Sequence, residues 1–169
     1  MELELWVLLR LFVSALLSGL IGYEREQTGK EAGLRTHMLV AVGSTLFLSF
    51  NDFYNSMYLE RGNAPLPGGR YADPGRAVQA IATGIGFIGA GTIFFSGHKD
   101  RIRGLTTAAS IWVTAAIGAA VAIDRYIVAA GGTILVLFIL RVLGRIDVHR
   151  QKRVLPGQVG SAGMLLEDD

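Results

Sequence analysis

Five apolar runs set the rhythm of the chain. Residues 3–22 form the first, with Arg10 inside it, and residues 38–53 form a shorter second run that can start nearer Leu34. Residues 77–95 and 105–123 carry no charge, and residues 126–143 carry Arg141 near their end. A helix crosses the hydrocarbon layer in about 20 apolar residues. Five such runs in 169 residues predict membrane spans rather than buried helices of a soluble protein. The expected fold class is all-α: a polytopic membrane protein, a bundle of five transmembrane helices. The helices are expected at about residues 3–22, 36–54, 74–95, 105–123 and 126–144. They make one domain, 1–144, followed by a short tail, 145–169.

Polar residues at the run ends sharpen these limits. Tyr23, Tyr54, Tyr58, Tyr71 and Tyr126 fall at or just past predicted ends, where a tyrosine ring stays apolar and its hydroxyl stays wet. Glu2 and Glu4 stand where a signal peptide wants positive charge, so the first run reads as a retained helix. The longest connection holds Pro65, Pro67 and Pro74 with Gly62, Gly68 and Gly69, a composition that breaks regular structure. Asp73-Pro74 at its end is a helix-start signal, aspartate as N-cap and proline at the first helical position.

Charge placement gives an orientation. One side collects Arg25, Lys30, Arg35, Lys99, Arg101, Arg103, Arg145, Arg150, Lys152 and Arg153; the other has Arg61, Arg70, Arg76 and Arg125. Basic loops stay inside, which predicts the N-terminus outside and the C-terminus in the cytoplasm.

Small residues recur at spacing four, the pattern that lets helix backbones approach closely in lipid. The fourth span has Thr106, Ser110, Thr114 and Gly118; the third has Ala82, Gly86 and Ala90; the first has Ser14, Ser18 and Gly22 with Arg10 one turn earlier. Gly84, Gly86, Gly89 and Gly91 match the spacing of a dinucleotide-binding fingerprint, but they lie inside an apolar run without a preceding strand. They read as backbone contact sites for packing helices. Stripes beyond what five helices need predict a homo-oligomer, a dimer, besides the lipid bilayer as the main partner.

Composition and charge narrow the chemistry. The mean hydropathy of +0.42 with 18% charged residues argues against a soluble enzyme. Absence of cysteine excludes disulfides and thiolate metal sites, and a net charge of +2 does not suggest nucleic acid. His37, His98 and His149 have no partners at ligand spacing, so no metal site and no cofactor is expected, with Mg2+ held by carbonyls and waters as the open alternative. No nucleophile–base pair is visible, so no catalytic residue is assigned and no enzymatic activity is expected. Arg10 carries the one deep charge; it either faces the bundle or a wet cavity, or snorkels to the outer surface. Acids avoid the span interiors, and Asp52, Asp73 and Asp124 lie at outer ends. A pore with no interior carboxylate and one interior arginine is a poor cation conductor.

Three stretches resemble the MgtC/SapB family of bacterial inner-membrane proteins. They are Gly22-Tyr-Glu-Arg-Glu with Ala32-Gly-Leu-Arg-Thr-His37; Asp73-Pro-Gly-Arg76 leading into Gly84-Ile-Gly-Phe-Ile-Gly-Ala-Gly91; and Arg103-Gly-Leu-Thr-Thr-Ala-Ala109 through Trp112. The resemblance implies five spans in the cell inner membrane, a link to Mg2+ homeostasis, and survival in low Mg2+ and in hosts, a virulence setting. It implies regulation of other membrane proteins, the ATP synthase among them, with a Mg2+-related transporter or channel lined by Arg10 as the alternative. This chain looks like the short form, without the soluble C-terminal domain of longer members. Matching positions make Glu24, Arg25, Arg35, Thr36, Asp73, Arg76, Arg103, Thr106 and Thr107 candidates for ligand or partner contact, and Arg10 and Gln79 join them. Some relatives have asparagine at the position of Thr106.

Overall fold

A computed structural model of the chain describes residues 2–60, 73–96 and 103–144. These residues are all-α, and no strand occurs among them. The helices are α1 (Glu2–Gln27), α2 (Leu34–Glu60), α3 (Pro74–Ser96), α4 (Leu105–Ala122) and α5 (Tyr126–Phe138), the last continuing as a π-helical stretch, Ile139–Leu143. The predicted tail, 145–169, lies outside the described residues, as do Lys99, Arg101 and most of the proline-rich connection. By contacts the chain divides into two units, Met1–Val136 and Leu137–Asp169.

Two helices run past their predicted ends. α1 continues from the expected limit at 22 to Gln27, and α2 continues from 54 to Glu60. Hydropathy marks where a chain leaves an apolar medium; backbone hydrogen bonding carries the helix further, into residues with polar side chains. Among the described residues three helices are long and apolar enough to cross a membrane: α1, α4 and the stretch Tyr126–Leu143. In α2 the polar residues Ser44, Thr45 and Ser49 are buried, so they turn inward and leave large apolar side chains outside.

The whole bundle is arranged this way. Leu8, Phe12, Leu16 and Leu20 line an outward stripe on α1; Phe87 is 83% exposed and Ile127 90%. Small residues lie inside instead. Ser14, Ser18, Thr45, Ser49, Ser110, Thr114 and Thr133 are buried, and each donates its hydroxyl to a carbonyl of its own helix at 2.6 to 2.9 Å. Back-bonding of this kind hides a hydroxyl without a partner helix, so the backbones can close up. Exposed apolar bulk with an interior of small polar residues is the inverse of a soluble protein.

Close approach is measurable at three points. A Cβ on Gly118 would fall on the Ala41 carbonyl oxygen and 2.9 Å from Ala41 Cα, fixing the α2–α4 crossing. Thr45 Oγ1 adds a 2.9 Å bond to the Gly118 carbonyl at the same place. A Cβ on Gly22 would lie 2.7 Å from Leu34 Cα, where α1 and α2 meet. On α3 the glycines divide. Gly89 rests against Ala108 of α4, whereas a Cβ on Gly84, Gly86 or Gly91 would meet nothing within 4 Å. The expectation that all four glycines are packing contacts is therefore corrected within this chain. The helix has one packed face, through Ile85 and Gly89, and the other three glycines point away from it.

Candidate functional site

Two polar clusters sit on α1, one around Arg10 and one around Arg25. Fifteen residues of helix at 1.5 Å each separate them by about 22 Å.

At the first, Arg10 reaches α2 and the α4–α5 turn. Its Nη1 donates to Asp52 Oδ2 at 2.6 Å, its Nε to Asp124 Oδ1 at 2.9 Å and its Nη2 to Asp124 Oδ2 at 2.5 Å. The paired geometry on Asp124 is the fork that a guanidinium makes best with a carboxylate. The Arg10 side chain is 11% exposed, against 42% for Asp52 and 53% for Asp124, so it is a covered cation held by wet acids. Tyr126 also donates its hydroxyl to Asp124 at 2.9 Å. Asp124 has φ 60°, the left-handed region that aspartate tolerates better than most residues. This turns the chain from α4 into α5 and aims the carboxylate back at α1. The Arg10 hydrogen bonds, aided by the one from Tyr126, hold the Asp124 carboxyl below the usual carboxylate range despite some burial.

The second cluster joins the end of α1, the α1–α2 connection and the first turns of α2 and α4. Glu24 and Arg25 are 5% and 4% exposed. Arg25 Nη2 donates to Thr107 Oγ1 at 3.3 Å, and Thr107 donates to Glu31 Oε2 at 3.3 Å. Glu24 and Glu31 both lie within electrostatic reach of Arg25. His37, fully buried, places Nδ1 on the Gly33 carbonyl at 2.9 Å and Nε2 on Ser110 Oγ at 3.2 Å. Glu26 caps α2 by accepting from the Leu34 amide at 2.8 Å. Two buried atoms have no hydrogen-bond partner among the described residues: Glu24 Oε2 and Arg25 Nε.

The sequence candidates thus separate. Glu24, Arg25 and Thr107 come together, whereas Arg35, Arg103 and Thr106 are exposed at the same end and Thr36 is half-buried. Asp73 does cap α3, accepting from the Gly75 amide at 2.9 Å, with exposed Arg76 3.8 Å away; Gln79 is exposed further along. Sequence reasoning missed Glu31, which carries no pattern, and set His37 aside as a weak metal ligand. It placed Asp52 and Asp124 at the outer ends without pairing them with Arg10, although a charge inside an apolar run needs a partner.

Chemically, both clusters fix helices. The contact between His37 and Ser110 has the elements of a base and a nucleophile, but both residues are buried in a helix seam and Ser110 also donates to Thr107 at 2.8 Å. Among the described residues no group of three or more His, Asp or Glu could hold a metal ion. Asp52 and Asp124 already face a guanidinium, and Glu24 and Glu31 stand by another, so no step through Mg2+ follows from these residues.

The MgtC family model matches residues 11–149. The chain is 41% identical over 135 residues to an Escherichia coli (strain K12) protein named "Putative magnesium transporter YhiD", covering 80% of this chain and 59% of that one. It is 35% identical to Protein SrpB of Synechococcus elongatus, covering 82% of this chain and 75% of SrpB. It is 37% identical to Protein MgtC of Salmonella typhimurium, covering 77% of this chain and 49% of that protein. The chain thus spans about half to three quarters of the length of these relatives. No solved structure matches it.

Proposed function

The chain belongs to the MgtC family of membrane proteins, and on that premise we propose that it is a Mg2+-linked regulator of the bacterial inner membrane. In this reading it crosses the membrane five times, with its N-terminus outside and its C-terminus in the cytoplasm. It performs no catalysis and acts through helix contacts, with a second copy and with other membrane proteins such as the ATP synthase. The observation that carries the reading is the closure of the polar groups at Arg10 and along the seam between the two clusters. All three nitrogens of Arg10 are engaged by Asp52 and Asp124, and the buried hydroxyls between the two clusters are bonded to their own helices. An ion crossing the layer needs polar groups free to replace its hydration shell. Groups already spent on the helices serve packing better than conduction.

A second reading, transport of Mg2+ or a related ion, draws on the name of the Escherichia coli relative. Reconstitution in liposomes with a Mg2+ indicator inside separates the two. The regulator reading expects no flux above that of empty liposomes. Flux that requires the protein and disappears in Arg10→Leu would replace it with the transporter reading.

A further inference from the structure

The first turn of α4 collects features that a helix needs to hold an anion. α4 has 18 residues, and its N-cap is Gly104, with φ 84° and no side chain to cap the helix. Nothing larger fits there, because a Cβ would lie 2.6 Å from the Thr92 carbonyl oxygen. Unfilled amide donors and the positive end of the helix dipole favour negative charge at such a terminus. The second observation is independent of the helix. Arg25, more than nine-tenths buried, directs its guanidinium at this turn through Thr107, the third helical residue, and its Nε has no partner among the described residues. The exposed Arg103 immediately precedes the cap.

One anion already comes close. Glu31, on the exposed connection after α1, accepts from Thr107 at a long 3.3 Å. That connection passes through Gly29 in the left-handed region, with φ 65°, and reaches α2 at Leu34. An intramolecular carboxylate on a short exposed segment is a ligand that can be exchanged. We propose that the first turn of α4, with Arg25 and Thr107, is a binding site for a phosphate group. The carboxylate of Glu31 holds its place and is displaced when phosphate enters from the Arg103 side. A phosphate offers several acceptors to a guanidinium fork and to backbone amides. Glu24, buried beside Arg25, opposes the incoming charge, so the site is a weak one for free phosphate. The phosphate can belong to a soluble anion or to a lipid headgroup, and the proposal stands apart from the regulator reading.

The test uses the whole protein in a phosphate-free detergent and follows thermal unfolding as inorganic phosphate is added, with chloride at equal ionic strength as reference. Phosphate is expected to raise the midpoint beyond chloride. Glu31→Gln keeps an acceptor on Thr107 but removes the competing charge, and should lower the phosphate concentration required by about tenfold. Glu31 is exposed, so this variant keeps the test valid even if Arg25→Gln fails to fold. Arg25→Lys, a cation without the fork, should respond less than wild type. In phosphatidylglycerol vesicles, a remaining response to free phosphate identifies a soluble anion as the ligand. Stabilisation by the vesicles with no further response identifies the headgroup. Equal responses to phosphate and chloride in both wild type and Glu31→Gln, with no stabilisation by the vesicles, would overturn the site.

Discussion

Arg10 and Arg25 lie on the same helix and are both covered, yet their partners differ in kind. Arg10 is enclosed by carboxylates that reach it from water, and none of its nitrogens is left over. Arg25 is buried beside a buried Glu24, makes one long bond to a hydroxyl, and keeps an unpartnered Nε. The first arrangement is complete and its acids can rehydrate if the arginine is removed. The second is incomplete and its acid cannot. The same residue type therefore serves as a clasp at one end of α1 and as an under-satisfied charge at the other, and under-satisfied buried polar groups are where function is sought.

The comparison makes unequal demands on the two arginines. Arg25→Met leaves the buried Glu24 in the helix seam without the nearby guanidinium, and an uncompensated buried charge costs about 3–5 kcal/mol. The variant should unfold far below wild type in a detergent melt, and Glu24→Gln in the same chain should recover much of the loss. A melt for Arg25→Met within a few degrees of wild type would mean that the second cluster is as wet as the first, and the contrast would be gone.

Arg10→Met ranks next. It leaves Asp52 and Asp124 exposed to water, and it removes a charge from an apolar helix, which by itself favours membrane insertion. The net loss should be about 1 kcal/mol, in the range of exposed and half-exposed ion pairs. Because the clusters are about 22 Å apart, the losses from Arg10→Met and Arg25→Met should add within about 0.5 kcal/mol. The same melts on the double variant check this. A clear departure from additivity would make the two ends of α1 one coupled unit.

How far the sequence carries depends on which signal a feature leaves. Apolar runs announce helices, because lipid demands the same hydrophobic length wherever a helix crosses. Residues 74–95 and 105–123 were accordingly close to α3 and α4. The true end of α1 was not legible, because Glu24 and Arg25 look like surface residues until α2 and α4 are placed over them. Arg10 could be singled out from its burial cost, but its partners lie 42 and 114 residues away, and only the fold brings them together. The glycines of α3 show the opposite limit. Spacing marked all four as contact sites, while the direction in which α3 faces α4 decided that Gly89 alone meets it at close range. Glu31 left no sequence signal at all, because its role comes from a connection folding back onto the start of α4.

The smallest expected effect tests whether the Arg10 clasp is electrostatic. The hydrogen bonds from Arg10 hold the Asp124 carboxyl below its ordinary value of 3.8. Protonation is therefore harder in the folded protein than in the unfolded chain, and the clasp contributes fully above the ordinary value. The contribution fades as pH falls through the lower folded value. Stability should not change through this group between about pH 8 and pH 5, and should decline only below about pH 4. Asp124 is half-exposed, so the loss should stay at or below about 1 kcal/mol. Asp124→Asn is the informative control, because asparagine also tolerates the left-handed backbone and can still accept from Tyr126 while lacking the charge. Melting Asp124→Asn and wild type across this range should give curves that differ at neutral pH and converge in acid. Parallel curves would show that Asp124 acts through its turn geometry, and the clasp would then be a matter of shape rather than charge.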